Sequence, residues 1–130
     1  METAVKDRSE TYEQRCHDGL VIVLERLYAL KEDEDDNELP TATAYTKICD
    51  LLIRANSLMQ LDFPRGTPSV EEDRGIRIEW RRGPREVKLV VAPQSGGLEY
   101  VYQAENASHS LDKNVTPAVL AHWLDWLAAA

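Results

Sequence analysis

The chain is poor in the residues that make staples, membrane spans and phosphate loops. It has two cysteines, Cys16 and Cys49, too few for a disulfide framework. Each falls on the apolar stripe of an expected helix, where a free thiol acts as a small hydrophobe. The longest apolar run, Leu20 to Leu24, is five residues, against the roughly 20 needed to cross a bilayer. Residues 1–10 are polar with both charge signs, so no secretory signal peptide is expected. The six glycines are scattered along the chain and form neither a Walker loop nor a dinucleotide fingerprint. His17, His109 and His122 stand alone, without a His-x-x-x-His or His-x-x-Glu spacing or a cysteine pair, which argues against a transition-metal site. His17 follows Cys16 directly, and neighbours on a helix face different ways, so they make no nucleophile pair. Gln94-Ser95-Gly96-Gly97 lacks the Gly-x-Ser-x-Gly elbow. Basic residues are also in deficit, 15 against 23 acidic, for a net charge of −8. A chain of that sign repels phosphate backbones and anionic lipid, so neither nucleic acid nor membrane is an expected partner. These absences lead to the expectation of a non-enzymatic protein in the reduced cytoplasm.

What is present is enough for one domain spanning residues 1–130, with 43% hydrophobic residues to build a core. Residues 8–31 carry Cys16, Leu20, Val23, Leu24, Leu27 and Leu30 at three- and four-residue steps, the period of an amphipathic helix. Gly19 inside it lowers helix stability by about 1 kcal/mol relative to alanine. A second helix, with Pro40 in its first turn, runs to about Gln60 and aligns Ala44, Ile48, Leu51, Leu52, Ala55, Leu58 and Met59. Two such helices joined by a short loop form an antiparallel hairpin.

From Asp62 the period becomes two. A breaker-rich connection, Phe63 to Pro68, leads to a short extended stretch around Ser69 to Glu71. Ile76, Ile78 and Trp80 then alternate with Arg77, Glu79 and Arg81, and Val87, Leu89 and Val91 alternate in the next segment. Leu98, Tyr100 and Tyr102 mark a third strand, and a brief fourth is expected at His109 to Leu111. Thr116-Pro117 opens a last helix with Leu120, Trp123, Leu124 and Leu127 on one stripe and Trp126 on its flank. The expected fold is α+β, with the helical hairpin and the C-terminal helix packed on one face of a three- to four-stranded antiparallel sheet.

The most unusual local feature is Glu32-Asp33-Glu34-Asp35-Asp36-Asn37-Glu38, six acids in seven residues. Ca²⁺ takes six to eight oxygen ligands in flexible geometry, which closely spaced carboxylates on a loop can supply. Asp33-x-Asp35-x-Asn37 has the alternating spacing that opens an EF-hand loop, but Glu38 stands where its glycine belongs and Ala44 where its last glutamate belongs. The ligands of a looser site are Asp33, Asp35, Asp36 and Glu38, with the Asn37 amide oxygen as a neutral fifth. The alternatives are a solvated charged loop and a dock for a basic partner. Glu71-Glu72-Asp73 is a second acidic triplet, able to form its own site or to complete the first.

The expected hairpin is basic instead. Residues 74–88 hold Arg74, Arg77, Arg81, Arg82, Arg85 and Lys88 against Glu79 and Glu86, a net of +4 that leaves −12 on the rest of the chain. Stacking of nucleic-acid bases would need aromatics among the exposed arginines, and Trp80 shares the apolar face instead. Cross-strand ion pairing on a wet sheet face explains the pattern; docking of an anionic partner or of a second copy is the functional alternative.

Leu39-Pro40-Thr41-Ala42-Thr43-Ala44-Tyr45 and the stretch from Gly75 to Val87, together with the size, the acidity and the loop at 32–38, give a resemblance. The hairpin is similar to one in many small bacterial proteins of unknown activity, and the whole chain resembles the acidic calcium-binding proteins of heterocyst-forming cyanobacteria. That resemblance implies a cytosolic Ca²⁺ buffer. The alternative function is an antitoxin-like or adaptor domain that binds a protein partner, or itself, through charged surfaces.

Overall fold

The computed structural model describes residues 19–32 and 39–130. The expected helix start at residue 8, Cys16, His17 and the core of the acidic loop lie outside the described residues. Helix α1 occupies residues 19–31 and buries Leu20, Val23 and Leu27. Helix α2 is Ala42–Leu58 and buries Ala44, Ile48, Leu51, Leu52 and Ala55, the apolar positions of its sequence period. Pro40 lies outside its first turn, contrary to expectation. Thr41 takes the N-cap in extended backbone, and its Oγ1 accepts the Ala44 N–H at 3.1 Å, which pushes the proline one residue upstream. The helix stops at Leu58, two residues short of the expected end. Met59 turns to extended backbone, and the next two N–H groups, those of Gln60 and Leu61, donate to the Asp125 carboxylate at 3.0–3.1 Å.

The sheet is an antiparallel meander in the order β1 (Thr67–Val70), β2 (Ile76–Arg82), β3 (Arg85–Val91), β4 (Tyr100–Glu105) and β5 (Ser108–Asp112). It has five strands rather than three or four. The two strands the alternation underplays are the edges, β1 being four residues long with a proline and β5 being exposed over most of its length. Edge strands bury little, so their apolar pattern is weak. The β2–β3 hairpin closes through Gly83-Pro84, with Gly83 at φ 58°, the residue type that a type II′ turn wants first. Helix α3, Pro117–Ala128, is capped by Thr116, whose Oγ1 accepts the Val119 N–H at 3.2 Å, with Pro117 in the first turn as the sequence predicts.

The helices pack on one sheet face, and the fold is α+β. Ile76, Ile78, Trp80, Val87, Leu89, Val91 and Val101 join the buried positions of all three helices in one core. Trp80 is its largest fully buried side chain. Phe63 meets the indole edge-on at 6.3 Å, and the indole N–H donates to the Pro64 carbonyl at 3.0 Å. The phase of β4 is opposite to the alternation read through Leu98, Tyr100 and Tyr102. Val101 and Gln103 point inward, while Tyr100 and Tyr102 lie on the face away from the helices and Leu98 precedes the strand. Tyrosine is amphipathic and sits at ease on a half-wet face, so its presence does not fix the phase of a strand. No helix among the described residues is long and apolar enough to cross a membrane.

Candidate functional site

Asp33, Asp35, Asp36, Asn37 and Glu38 lie outside the described residues. What is described is the foot of their loop and what is fastened to it. The Arg74 Nε donates to the Leu39 carbonyl at 2.7 Å, and the Thr41 N–H donates to the Arg74 carbonyl at 3.1 Å. Arg74 closes the turn that carries Glu71-Glu72-Asp73. Its N–H donates to the Glu71 carbonyl at 2.9 Å, and its φ of 73° is left-handed. The Asp73 carboxylate accepts the Gly75 N–H at 2.9 Å, and the Glu71 N–H donates to the Gly75 carbonyl at 2.8 Å. The chain path thus fastens the second acidic triplet to the residue that follows the first acidic cluster, a juxtaposition no spacing in the sequence reveals. Within the triplet, Asp73 is engaged by its own turn and Glu71 leans on Arg77 at 3.7 Å. Among the described residues no three His, Cys, Asp or Glu side chains converge on one point.

The basic hairpin is largely neutralised in place. Arg81 reaches its cross-strand neighbour Glu86 at 2.5 Å, Lys88 reaches the same carboxylate at 3.2 Å, and Arg77 lies 3.2 Å from Glu79. Arg85 meets its cross-strand partner Glu105 at 2.8 Å. Burial pushes the Glu86 carboxyl up, but the hydrogen bonds and charges of Arg81 and Lys88 together outweigh it and hold the group below the ordinary glutamate value. A depressed folded-state pKa contributes stability that is complete above the unfolded-state value and lost as pH falls through the folded one. Thermal stability measured across the acid range should therefore fall less steeply in Glu86→Gln than in the parent. At neutral pH the substitution should cost under about 1 kcal/mol, because Arg81 is 75% exposed. An identical slope in the two proteins would show that the pairs contribute nothing.

The aromatics missing from the sequence reading of this face are Tyr100 and Tyr102, set across from Val90 and Lys88. The Lys88 Nζ lies 5.3 Å from the Tyr102 ring centre, and His109 stacks on the other side strand at 6.0 Å. Cys49 in α2 is half-buried, and burial raises its thiol pKa more than Tyr45 and Lys31 lower it, so it remains a thiol at neutral pH. That protonation state does not suit a nucleophile.

Sequence reading gave no sign of the surface concavities, among them a trough of about 240 Å³ between α3 and the inner side of β4 and β5. Helix α3 packs over β2 and β3, and beyond them the inward positions turn polar: Gln103 and Glu105 on β4, Ser110 and Ser108 opposite them on β5. Trp123 and Trp126 form the helix wall, ring centres 5.5 Å apart and planes at 87°. Gln103 is 6% exposed, the only buried polar side chain among the described residues; its amide nitrogen donates to Ser110 Oγ at 2.7 Å and its carbonyl oxygen meets no donor. The signal was available in the sequence, since Val101, Gln103 and Glu105 grade from apolar to charged along one face. The phase chosen through the tyrosines concealed it. No protein-family model, curated protein or solved structure matches the chain.

Proposed function

We propose that the chain is a non-enzymatic, cytoplasmic acidic protein that binds Ca²⁺ through Asp33, Asp35, Asp36, Asn37 and Glu38 and acts as a buffer for the ion. The observation that supports this reading is the pair of hydrogen bonds tying the Glu71–Asp73 turn to Leu39 and Thr41. Calcium needs more oxygen atoms than a five-ligand loop provides with one contact each, and the second triplet brings further carboxylates to the foot of that loop. Glu72 is the member best placed to contribute, being exposed, whereas Glu71 and Asp73 are engaged locally. The Arg74 guanidinium at the same place opposes a cation, and exposed ligands are screened. The affinity expected is therefore modest, roughly 10⁻⁶ to 10⁻³ M. Magnesium, which holds its waters and wants rigid octahedral geometry, fits less well.

The test is a calcium titration followed by backbone amide shifts at physiological salt, with magnesium as the control. Saturable shifts at residues 32–38, extending to 71–74, are expected for calcium. The double variant Asp35→Asn, Asp36→Asn should weaken them at least about tenfold, by removing two charges from the ligand set. Unchanged binding in that variant, or diffuse shifts equal for both ions, would refute the reading.

A second reading has its own support. Among the described residues, the sheet face away from the helices is covered by no other element and carries Val90, Tyr100, Tyr102 and Leu111 beside the ion pairs. An adaptor or antitoxin-like domain would use such a face for a protein partner. It would associate in a salt-sensitive way, copurify with its partner and ignore calcium.

A further inference from the structure

The two edges of the sheet end differently. Along an edge strand, every second residue turns its main-chain N–H and C=O away from the sheet. The two-residue hairpins fix which residues these are, because the pairs flanking each loop, Arg82 with Arg85 and Glu105 with Ser108, are hydrogen-bonded to each other. Counted from there, the outward groups of β1 belong to Pro68 and Val70, and those of β5 to His109 and Leu111. Pro68 has no N–H, so β1 is a poor template for a further strand. The β5 edge keeps both donors and both acceptors, and Ser108–Asp112 contains no proline, lysine or arginine to blunt it. Among the described residues β5 pairs with β4 alone, and Leu111 is 47% exposed.

The side chains beside that edge complement one another. Ser110 Oγ accepts the Gln103 amide at 2.7 Å, which leaves the hydroxyl proton to give. Asp112 takes the Asn114 N–H on Oδ1 at 2.9 Å, and its Oδ2 meets no described donor. On the other face Leu111 stands opposite Tyr102. A two-fold axis through Leu111 matches all of these at once. The outward groups of Leu111 then bond to those of Leu111 in the second copy, and Ser110 comes opposite Asp112 of the second copy, twice. The two leucines cover each other between the two Tyr102 rings. An axis through Ser110 instead sets that serine against itself and Leu111 against an imidazole.

We propose that the chain forms a two-fold dimer by pairing β5 with β5 of a second copy, Leu111 opposite Leu111, which joins two five-stranded sheets into one of ten strands. A single strand edge buries less than a standard interface, so the dissociation constant expected is roughly 10⁻⁵ to 10⁻³ M. Each copy carries a net charge of −8, and the contacts made are main-chain bonds, apolar cover and one hydroxyl–carboxylate pair. Added salt screens the mutual repulsion and tightens such a dimer, whereas docking of the basic hairpin on an acidic surface loosens with salt. The proposal does not rest on calcium binding.

The experiment is sedimentation equilibrium of the whole chain in EDTA, from about 10 µM to about 1 mM, the range of weak interfaces. It is run at low and at physiological salt, with backbone amide shifts followed over the same concentrations. A monomer–dimer equilibrium that tightens with salt is expected, with the concentration-dependent shifts centred on residues 109–112. Leu111→Lys should raise the dissociation constant about tenfold or more, by removing the apolar contact and setting like charges face to face. Leu98→Lys, a change at a leucine 67% exposed and off the edge, should leave it unchanged. The Trp80 indole N–H, held by the Pro64 carbonyl in the core, reports that each variant is folded. Under mild oxidation Leu111→Cys should cross-link to a dimer faster than Ser110→Cys, since residues facing each other across a hydrogen-bonded pair lie about 5.5 Å apart at Cα, within reach of a disulfide. The proposal is overturned if the chain stays monomeric throughout, if association weakens with salt, if Leu111→Lys leaves it intact or Leu98→Lys abolishes it, or if Ser110→Cys cross-links the faster.

Discussion

Gly19→Ala is expected to destabilise the protein by about 2 kcal/mol or more, although the same change in an exposed helix would stabilise it by about 1 kcal/mol. Helix propensity and packing disagree in sign here, and the geometry decides between them. A Cβ built on Gly19 falls 1.7 Å from the Phe63 carbonyl oxygen and 2.8 Å from its carbon. The obstacle is backbone, so no rotamer change relieves it, and either α1 or the segment after α2 must move. That segment is held from several sides. Arg26 on α1 donates to the Gly66 carbonyl at 2.8 Å, the Phe63 ring is buried against Trp80, and the Pro64 carbonyl holds the indole. Moving the segment disturbs all three, and moving α1 instead strains the Arg26 bond and withdraws Leu20, Val23 and Leu27 from the core. Urea unfolding of the two proteins measures the difference; a more stable alanine variant would mean that α1 does not approach Phe63 this closely.

Trp80→Ala should be the more damaging change, costing about 3–5 kcal/mol, the range for removing a large aromatic from a core that can only partly collapse. Trp80→Phe separates the parts of that loss. It keeps a ring against Phe63 but leaves the Pro64 carbonyl without its donor, and about 1–3 kcal/mol is expected for that orphaned acceptor together with the lost volume. Gly66 supplies an independent check. A Cβ there would lie 2.5 Å from the Trp80 Nε1 and 2.8 Å from Ile78 Cγ2. Gly66→Ala should therefore harm the parent protein more than it harms Trp80→Ala, where the indole is gone. A double-mutant cycle measured by equilibrium unfolding reads this coupling directly, and additive effects would separate the two residues.

Much of the architecture was legible because burial and period coincide. The α2 stripe, the Thr116-Pro117 start of α3, and the alternation of Ile76, Ile78, Trp80 and of Val87, Leu89, Val91 are each one-face patterns with wet partners opposite. Where burial and residue type part company, the pattern misleads. Tyr100 and Tyr102 look inward by type yet stand on the open face, while the inward Gln103 looks like a surface residue. The edge strands left faint traces because they bury little. At the candidate cation site the sequence supplied the proposed ligands but could not show that the 71–74 turn is fastened beside Leu39, because that contact is made by the Arg74 guanidinium across a separation of 35 residues. Gly19 shows the same limit from the other side. Its cost to the helix was readable, but its reason was not, since it lies in the carbonyl of a residue 44 positions away.

The meander has a consequence for how the chain's entropy is distributed. Every strand pairs with its neighbour in sequence, and the connections between them are short, two residues in the β2–β3 and β4–β5 hairpins. Closing such loops costs little, and the cost grows only slowly with length. The long-distance closures fall instead on the core that joins the helices to the sheet and on hydrogen bonds such as Arg26 to Gly66, Thr41 to Pro93, and Asp125 to the N–H groups of Gln60 and Leu61. Residues 67–112 form the part of the molecule with mostly local closures, and the helices at either end of the chain carry the non-local ones.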